Sequence, residues 1–284
     1  MDLQVLKYFS AVSHEGSFLR ASQKLNYAQS NLSTKIKNLE KEFAVKLFHR
    51  TSQGVTLTEK GELLLAYADK LLQLSYDTEN AMHSTDTTKQ TLSISTMESA
   101  AVTFVPDILI KYHQANPEIA LTINTDISKR SLAKLLEHTI DGAFVAGATR
   151  HEKLSSVIVR DEELSLITNN TLKNISTKQL LQQPLLVFPQ GCSYRQILEN
   201  WLEDEQLVPA RIIEFNSLSA LFASISAGLG IGLFPKDSAD SFTSDQILFC
   251  HEIPEKYRYI SVKFVWRKKS WMNLSLQKFI QLFS

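Results

Sequence analysis

Residues 16–51 read GSFLRASQKLNYAQSNLSTKIKNLEKEFAVKLFHRT, and this stretch decides the fold of the N-terminal part. Ahead of it, Leu3, Leu6, Phe9, Ala11 and Val12 fall largely at i, i+3 spacing, so a first amphipathic helix is expected that Gly16 breaks. Ser17 suits an N-cap, because its hydroxyl can accept from an orphan backbone N–H. Phe18, Ala21 and Leu25 define a short second helix. Asn26-Tyr27-Ala28 is a tight break, and a third helix is expected from about Gln29 to Phe43. Leu32, Ile36 and Leu39 face inward on it, and the opposite face carries Gln29, Ser30, Asn31, Ser33, Thr34, Lys35, Lys37 and Asn38.

That outer face has a chemistry. Gln and Asn pair bidentately with adenine, Ser and Thr bond base edges or phosphates, and Lys reaches guanine or the backbone. A short helix, a tight turn and a second helix of this kind form a helix-turn-helix. Leu47 to Thr51, a Ser52-Gln53-Gly54 turn and Val55 to Thr58 then read as a hairpin wing. Candidate DNA contacts are Ser17, Phe18, Gln29, Ser30, Asn31, Ser33, Thr34, Lys35 and Lys37, with Arg50 and Gln53 on the wing. A three-helix packing module with a polar surface would share the same pattern.

Charge sharpens the reading. The 284 residues hold 30 basic and 30 acidic side chains, so the net charge is zero. Between Leu19 and Arg50 there are seven basic residues against Glu40 and Glu42, a local excess of +5. Residues 1–60 carry +4 and the remainder −4, so the balanced total does not exclude nucleic acid. A phosphate footprint need only be local, because salt screens charges beyond ~8 Å. Two cysteines are too few for a disulfide framework or a four-cysteine zinc site. No apolar run approaches the ~20 residues of a membrane span, and no signal peptide is visible. A cytoplasmic protein without membrane association is expected.

From Glu59 to about Asp86, Leu64, Ala68, Leu71, Ser75, Thr78 and Met82 alternate spacings of four and three, the rhythm of a coiled-coil seam. Ser84-Thr85-Asp86-Thr87-Thr88 marks a boundary. The expected domains are 1–58, a winged helix-turn-helix; 59–88, a linker helix; and 89–284, an α/β domain. In the last, strands at 91–96, 120–124 and 142–146 alternate with helices, which predicts a parallel sheet. A second unit is expected from strands at 165–168, 185–188 and 211–215 and helices at 194–205 and 218–227. Ligands in such sheets sit beyond strand carboxyl ends, where loops meet helix N-termini. Three segments qualify: Thr96-Met97-Glu98-Ser99, Gln190-Gly191-Cys192-Ser193 with Arg195, and Asn216-Ser217. Ser193 and Ser217 could equally serve only as helix caps. Glu98 could repel an anion, pair with a cationic ligand group, or pair with Lys or Arg across a cleft. Cys192, near Arg195 at a helix start, would have a lowered thiol pKa and a possible redox role.

Residues 1–65 resemble the DNA-binding domain of LysR-type transcriptional regulators. Met1-Asp2-Leu3, Leu6, Phe9, Val12, Gly16-Ser17-Phe18, Ala21, Leu25, Gln29-Ser30, Leu32-Ser33, Ile36, Leu39-Glu40, Leu47 to Thr51, Leu57-Thr58 and Gly61 carry the resemblance without a gap. Ser22, Ala28, Thr34 and Ala44 depart from the usual pattern, and Thr34 bears on sequence preference. The resemblance implies a linker helix pairing two subunits in a homodimer or homotetramer on a pseudo-palindromic promoter site. It also implies an effector domain similar to periplasmic solute-binding proteins, with two α/β subdomains and a small-molecule effector, such as an organic anion, between them. The segments 96–99 and 191–195 would line that cleft.

Catalysis finds little support. The seven histidines form no H-E-x-x-H or metal-spaced cluster. Gly228-x-Gly230-x-Gly232 follows a helix and leads into a strand, the reverse of a dinucleotide loop, and reads as a helix stop and turn. No catalytic residue, metal site or cofactor is expected. The rival reading is a solute-binding or catalytic α/β protein with an N-terminal helical interaction module.

Overall fold

The computed structural model describes residues 2–51, 54–82, 90–240, 248–268 and 272–283, with the backbone alone at 50, 51, 73, 76, 77 and 79–82. It divides into two compact units, residues 1–87 with 137–139 and residues 88–136 with 140–284. Gln53 and the boundary segment Ser84 to Thr88 lie outside the described residues.

In the first unit, α1 (Leu3–Glu15) starts where the Asp2 carboxylate accepts from the Gln4 N–H, and ends at Gly16 in a left-handed conformation. Ser17 caps α2 (Phe18–Lys24) by accepting from Arg20 N. The third helix, α3 (Gln29–Glu42), starts at Ala28 with no side-chain cap. Leu6, Phe9 and Val12 of α1 meet Ala21 of α2 and Leu32, Ile36 and Leu39 of α3 in one core. The wing is the antiparallel pair β1 (Phe48–Thr51) and β2 (Gly54–Leu57). Val55 N donates to Gly16 O, which ties the wing to the α1–α2 turn. Buried Glu40 accepts from Leu47 N at 2.9 Å and fixes the entry to β1. Ala44, a departure from the family pattern, has a φ of 52° that glycine would adopt without strain.

The helix α4 (Glu59–Met82) corrects the expected seam. Ala68 is fully buried, and Leu64, Leu65 and Leu72 pack on the core that contains α1. The large exposed apolar residues are Leu63, Tyr67, Leu71 and Leu74. The surface stripe therefore starts one residue earlier than the spacing suggested, because Leu64 and Ala68 are used inside the head. Met82 is described by its backbone alone.

The second unit opens with β3 (Thr91–Thr96), α5 (Glu98–Thr103), α6 (Val105–Ala115), β4 (Ala120–Thr125), α7 (Ser128–Leu136) and β5 (Gly142–Ala146). Pro106 falls in the first turn of α6, where its missing N–H costs nothing. β6 (Leu154–Asn169) follows, 16 residues long. Then come α8 (Thr177–Leu180), β7 (Leu185–Val187), α9 (Ser193–Asp204), β8 (Ile212–Glu214), α10 (Leu218–Ser226), β9 (Gly232–Pro235) and α11 (Lys236–Asp240). β10 (Leu248–His251), α12 (Glu255–Arg258), β11 (Tyr259–Arg267) and α13 (Leu274–Ile280) complete it. Gly228 follows α10 and Gly232 opens β9, so the glycine run is a helix stop and turn.

The main sheet runs β4-β3-β5-β11-β6-β10, with β9 also on β6. Only β3 with β4 and β3 with β5 pair in parallel in it; β11 is antiparallel to β5 and β6, and β6 is antiparallel to β9 and β10. The expected parallel sheet is thus a mixed one. β6 pairs with β11 up to Glu163 and with β9 from Leu164 onward. It thereby leaves a first subdomain, built on β3–β5, and enters a second, built on β6–β9 and the parallel pair β7–β8. Tyr112, Phe144, Phe264 and Phe279 meet edge-on or tilted at centroid distances of 4.9–6.2 Å and fill the first subdomain.

Candidate functional site

The first surface is the outer face of α3. Gln29, Ser30, Asn31, Thr34, Lys35, Lys37 and Asn38 are exposed and Ser33 is half-buried, while Leu32, Ile36 and Leu39 are buried. The helical period thus separates a polar, cationic outer face from a packing face. Thr34 Oγ1 donates to Ser30 O at 2.9 Å, which leaves its lone pairs for a partner. Phe18 does not join this surface: it is 9% exposed and packs edge-on against Phe48, at 5.9 Å. Ser17 is occupied as the α2 cap. Arg50 lies on β1 and its side chain is outside the description.

The second is a cavity of about 110 Å³ between the two α/β subdomains. Met97, Glu98 and Ser99 line it from the start of α5, with Cys192 and Ser193 at the start of α9 and Asn216 before α10. Thr125, Asp126, Ile127, Ser128, Arg130, Phe188, Pro189 and Tyr194 complete the lining. The rule that placed the first strand's loop here applies equally to the loops after β4 and β7, so 125–128 and 188–189 were within reach of sequence. Thr96, Gln190, Gly191 and Arg195 are not among the lining residues. Thr96 is fully buried, and Gln190 Nε2 donates to Glu199. A Cβ on Gly191 would lie 2.8 Å from Lys129 Cβ, so glycine lets the two subdomains approach there.

Arg195 is 8% exposed and points away from the cavity. Its guanidinium donates to Glu199 at 2.7 Å, Glu214 at 2.6 Å and Phe188 O at 3.1 Å. Asp126 pairs with Arg130 at 2.6 Å and Lys134 at 2.8 Å; burial opposes its ionised form, but these cations and the Ile127 N–H hold its carboxyl below the usual range. Among the described residues Glu98 pairs with no Lys or Arg across the cleft, one of the alternatives the sequence left open; its Oε2 accepts from Leu218 N.

Comparison with known proteins decides the assignment. Residues 3–62 match the bacterial regulatory helix-turn-helix protein, lysR family, and residues 85–284 match the LysR substrate binding domain. The chain belongs to the LysR family of transcriptional regulators. It is 38% identical over 281 residues to the HTH-type transcriptional regulator CzcR of Bacillus thuringiensis subsp. konkukian (strain 97-27), covering 99% of this chain and 96% of the relative. GltR of Bacillus subtilis (strain 168) is 36% identical over 281 residues, with coverages of 99% and 95%. Full-length CbnR in complex with its target DNA shares the fold at a TM-score of 0.73 and 22% identity, covering 100% of this chain and 99% of that one. This LysR-type regulator is therefore a DNA-binding transcriptional regulator with an effector-binding domain. Among its described residues no helix is long and apolar enough to cross a membrane, and no group of three or more His, Cys, Asp and Glu could hold a metal.

Two titratable groups at the cavity of the regulator behave unlike their sequence context. Burial pushes the Cys192 thiol up, and this outweighs the Arg195 and Tyr194 N–H groups and the Arg195 charge. The lowered thiol pKa expected beside Arg195 is thereby corrected. Behind the cavity, Tyr194 donates to Glu162 at 2.8 Å and shares a bond with Ser99 at 2.9 Å. Glu162 is 3% exposed, and desolvation raises its carboxyl against the opposing pull of Tyr194 and Arg160. A raised folded pKa contributes stability that is complete below the unfolded value, about 4.3, and is lost as pH rises through the folded value. At neutral pH the ionised Glu162 is thus a cost. Glu162→Gln keeps an acceptor for Tyr194 and removes that cost. Its Tm is expected above wild type at pH 7, with the gap closing toward pH 4; thermal unfolding at stepped pH would contradict this by showing a constant gap.

Proposed function

We propose that this regulator reads a pseudo-palindromic promoter site as a homodimer and changes its DNA-bound arrangement when a small organic effector enters the cavity. The observation that carries the proposal is one chain holding both a polar, cationic helix face over an apolar one and a lined cavity between two subdomains. Gln29, Ser30, Asn31, Ser33, Thr34 and Lys35 are the proposed base and backbone contacts of α3, with Lys37 on phosphate. Arg50 and Gln53 would add contacts from the wing. The exposed stripe Leu63, Tyr67, Leu71 and Leu74 on α4 supports pairing of two copies through this helix. The effector would shift the population between two arrangements of the cavity domain and so the placement of two recognition helices. Met97, Ser99, Cys192, Ser193 and Asn216 are the proposed effector contacts, joined by Ser128 and Arg130. An anionic effector group would have to share Arg130 with Asp126, its partner at 2.6 Å.

The test is a fluorescence-anisotropy titration with DNA upstream of the protein's own coding region, in excess competitor DNA. Specific, salt-dependent binding is expected. Lys37→Ala should weaken binding to all sequences and reduce the salt slope by about one. Unchanged affinity and slope would remove Lys37 from the contacts. A thermal-shift screen of small organic molecules should find one that raises Tm, since a ligand of the folded state stabilises it by mass action.

A further inference from the structure

Glu98 belongs to the first subdomain, yet its carboxylate serves the second. Its Oε2 accepts from the backbone N–H of Leu218, the first residue of α10, at 2.5 Å. The first N–H groups of a helix have no partner within it and carry partial positive charge, which is why free anions bind there. Ser217 serves another of these groups by accepting from Ala220 N. We propose that Glu98 is a built-in anion that latches the cavity: it holds the start of α10 to the first subdomain and bars a free carboxylate from that end. The regulatory meaning rests on the cavity being the effector site; the latch itself is a property of the protein alone.

The latch sits where it can act. Glu98 and Asn216, just ahead of α10, line the same cavity. The neighbouring ties between the subdomains include Ser193 Oγ to Ala146 O at 2.8 Å, Lys129 N to Gly191 O at 3.3 Å, the Ser99–Tyr194 pair and Tyr194 Oη to Glu162 at 2.8 Å. The first three join neutral groups, whereas the Glu162 and Glu98 bonds each end on a carboxylate, and of these two the Glu98 bond alone reaches a helix N-terminus; charge-assisted bonds are roughly twice as strong. Met97 and Ser99 on either side are buried, so the chain delivers this carboxylate to one place. A tethered group competes at an effective concentration of about a millimolar or more, which a free carboxylate must exceed. An acidic effector would therefore place its charge elsewhere than the start of α10.

Hydrogen exchange of the full-length protein tests this without an effector. In Glu98→Ala the Leu218 amide is expected to exchange about ten- to a hundredfold faster, and in Glu98→Gln by an intermediate factor. Sodium acetate should restore protection in Glu98→Ala and leave wild type unchanged, with sodium chloride at equal ionic strength as control. Amides of α9 report general unfolding; if they also accelerate in Glu98→Ala, Glu98→Gln decides by the same readout. Unchanged Leu218 exchange in the variants, or acetate protecting Leu218 in wild type, would overturn the latch. A cavity that binds no small molecule would instead count against the effector site and leave this result standing.

Discussion

Gly61→Ala is expected to destabilise the DNA-binding unit by about 2 kcal/mol and to abolish binding to target DNA, although alanine is normally better in a helix by about 1 kcal/mol. The helical preference loses to contact. A Cβ at 61 would lie 2.2 Å from Leu47 O and 2.9 Å from Leu57 Cδ2. Leu47 O cannot yield freely, since it accepts from Thr58 N at 3.0 Å. Gly61 N in turn donates to Thr58 Oγ1 at 3.0 Å, so the start of α4 and the approach to the wing are one locked unit. Forcing an extra methyl into such a place costs about 1–3 kcal/mol. The strain passes to Phe48, whose ring meets Phe9 and Phe18, and so to the helices that carry the proposed DNA-contact face. Urea unfolding and DNA titration of the variant check this; a wild-type midpoint and affinity would refute it.

Arg195→Ala should cost about 2–3 kcal/mol, the loss of charge-assisted hydrogen bonds at a buried site. Glu214 is half exposed, so water screens part of that pair. The decisive loss is the buried bond to Phe188 O, because Phe188 lines the cavity and Arg195 sets its loop. Effector affinity should fall along with stability. Lysine should rescue little, since a point charge cannot reach a carbonyl and two carboxylates as a planar fork does. Thermal unfolding with and without a stabilising ligand separates the roles. Lost ligand response at wild-type stability would make Arg195 a contact residue, contrary to its position here.

The head was legible because its constraints are local. Gly16, Ser17 and the 3.6-residue period of Leu32, Ile36 and Leu39 each act within a few residues, and the helices fall within two residues of expectation. Phe18 was misplaced because position in a helix-turn-helix says nothing of which way a single ring turns. In α4, Leu63, Leu64 and Leu65 are adjacent, and only the packing of α1 decides which of them is spent inside. The first half of β6 is not legible in the sequence because Arg160-Asp161-Glu162-Glu163 hides its alternation; Glu162 turns inward to Tyr194 while its neighbours Asp161 and Glu163 face water. Without it neither β11 nor the antiparallel half of the sheet can be expected. For the cavity, strand ends pointed to Met97, Ser99, Ser193 and Asn216, but the inward or outward turn of Arg195 depends on Glu199 and Glu214, one of them on a different element.

The passage of β6 from one subdomain to the other has a mechanical consequence. The chain crosses outward there and returns at the start of β11, and the two crossings are hydrogen-bonded side by side, with Glu162 opposite Ile260 and Glu163 opposite Tyr259. Sliding one strand past the other by a residue would turn every side chain to the wrong face. Such a ribbon behaves as a leaf spring, stiff to stretch and shear and soft only to flexing out of its plane. Under the proposed function, an effector in the cavity would be felt beyond it as a tilt about one axis, and a tilt grows with distance from its pivot.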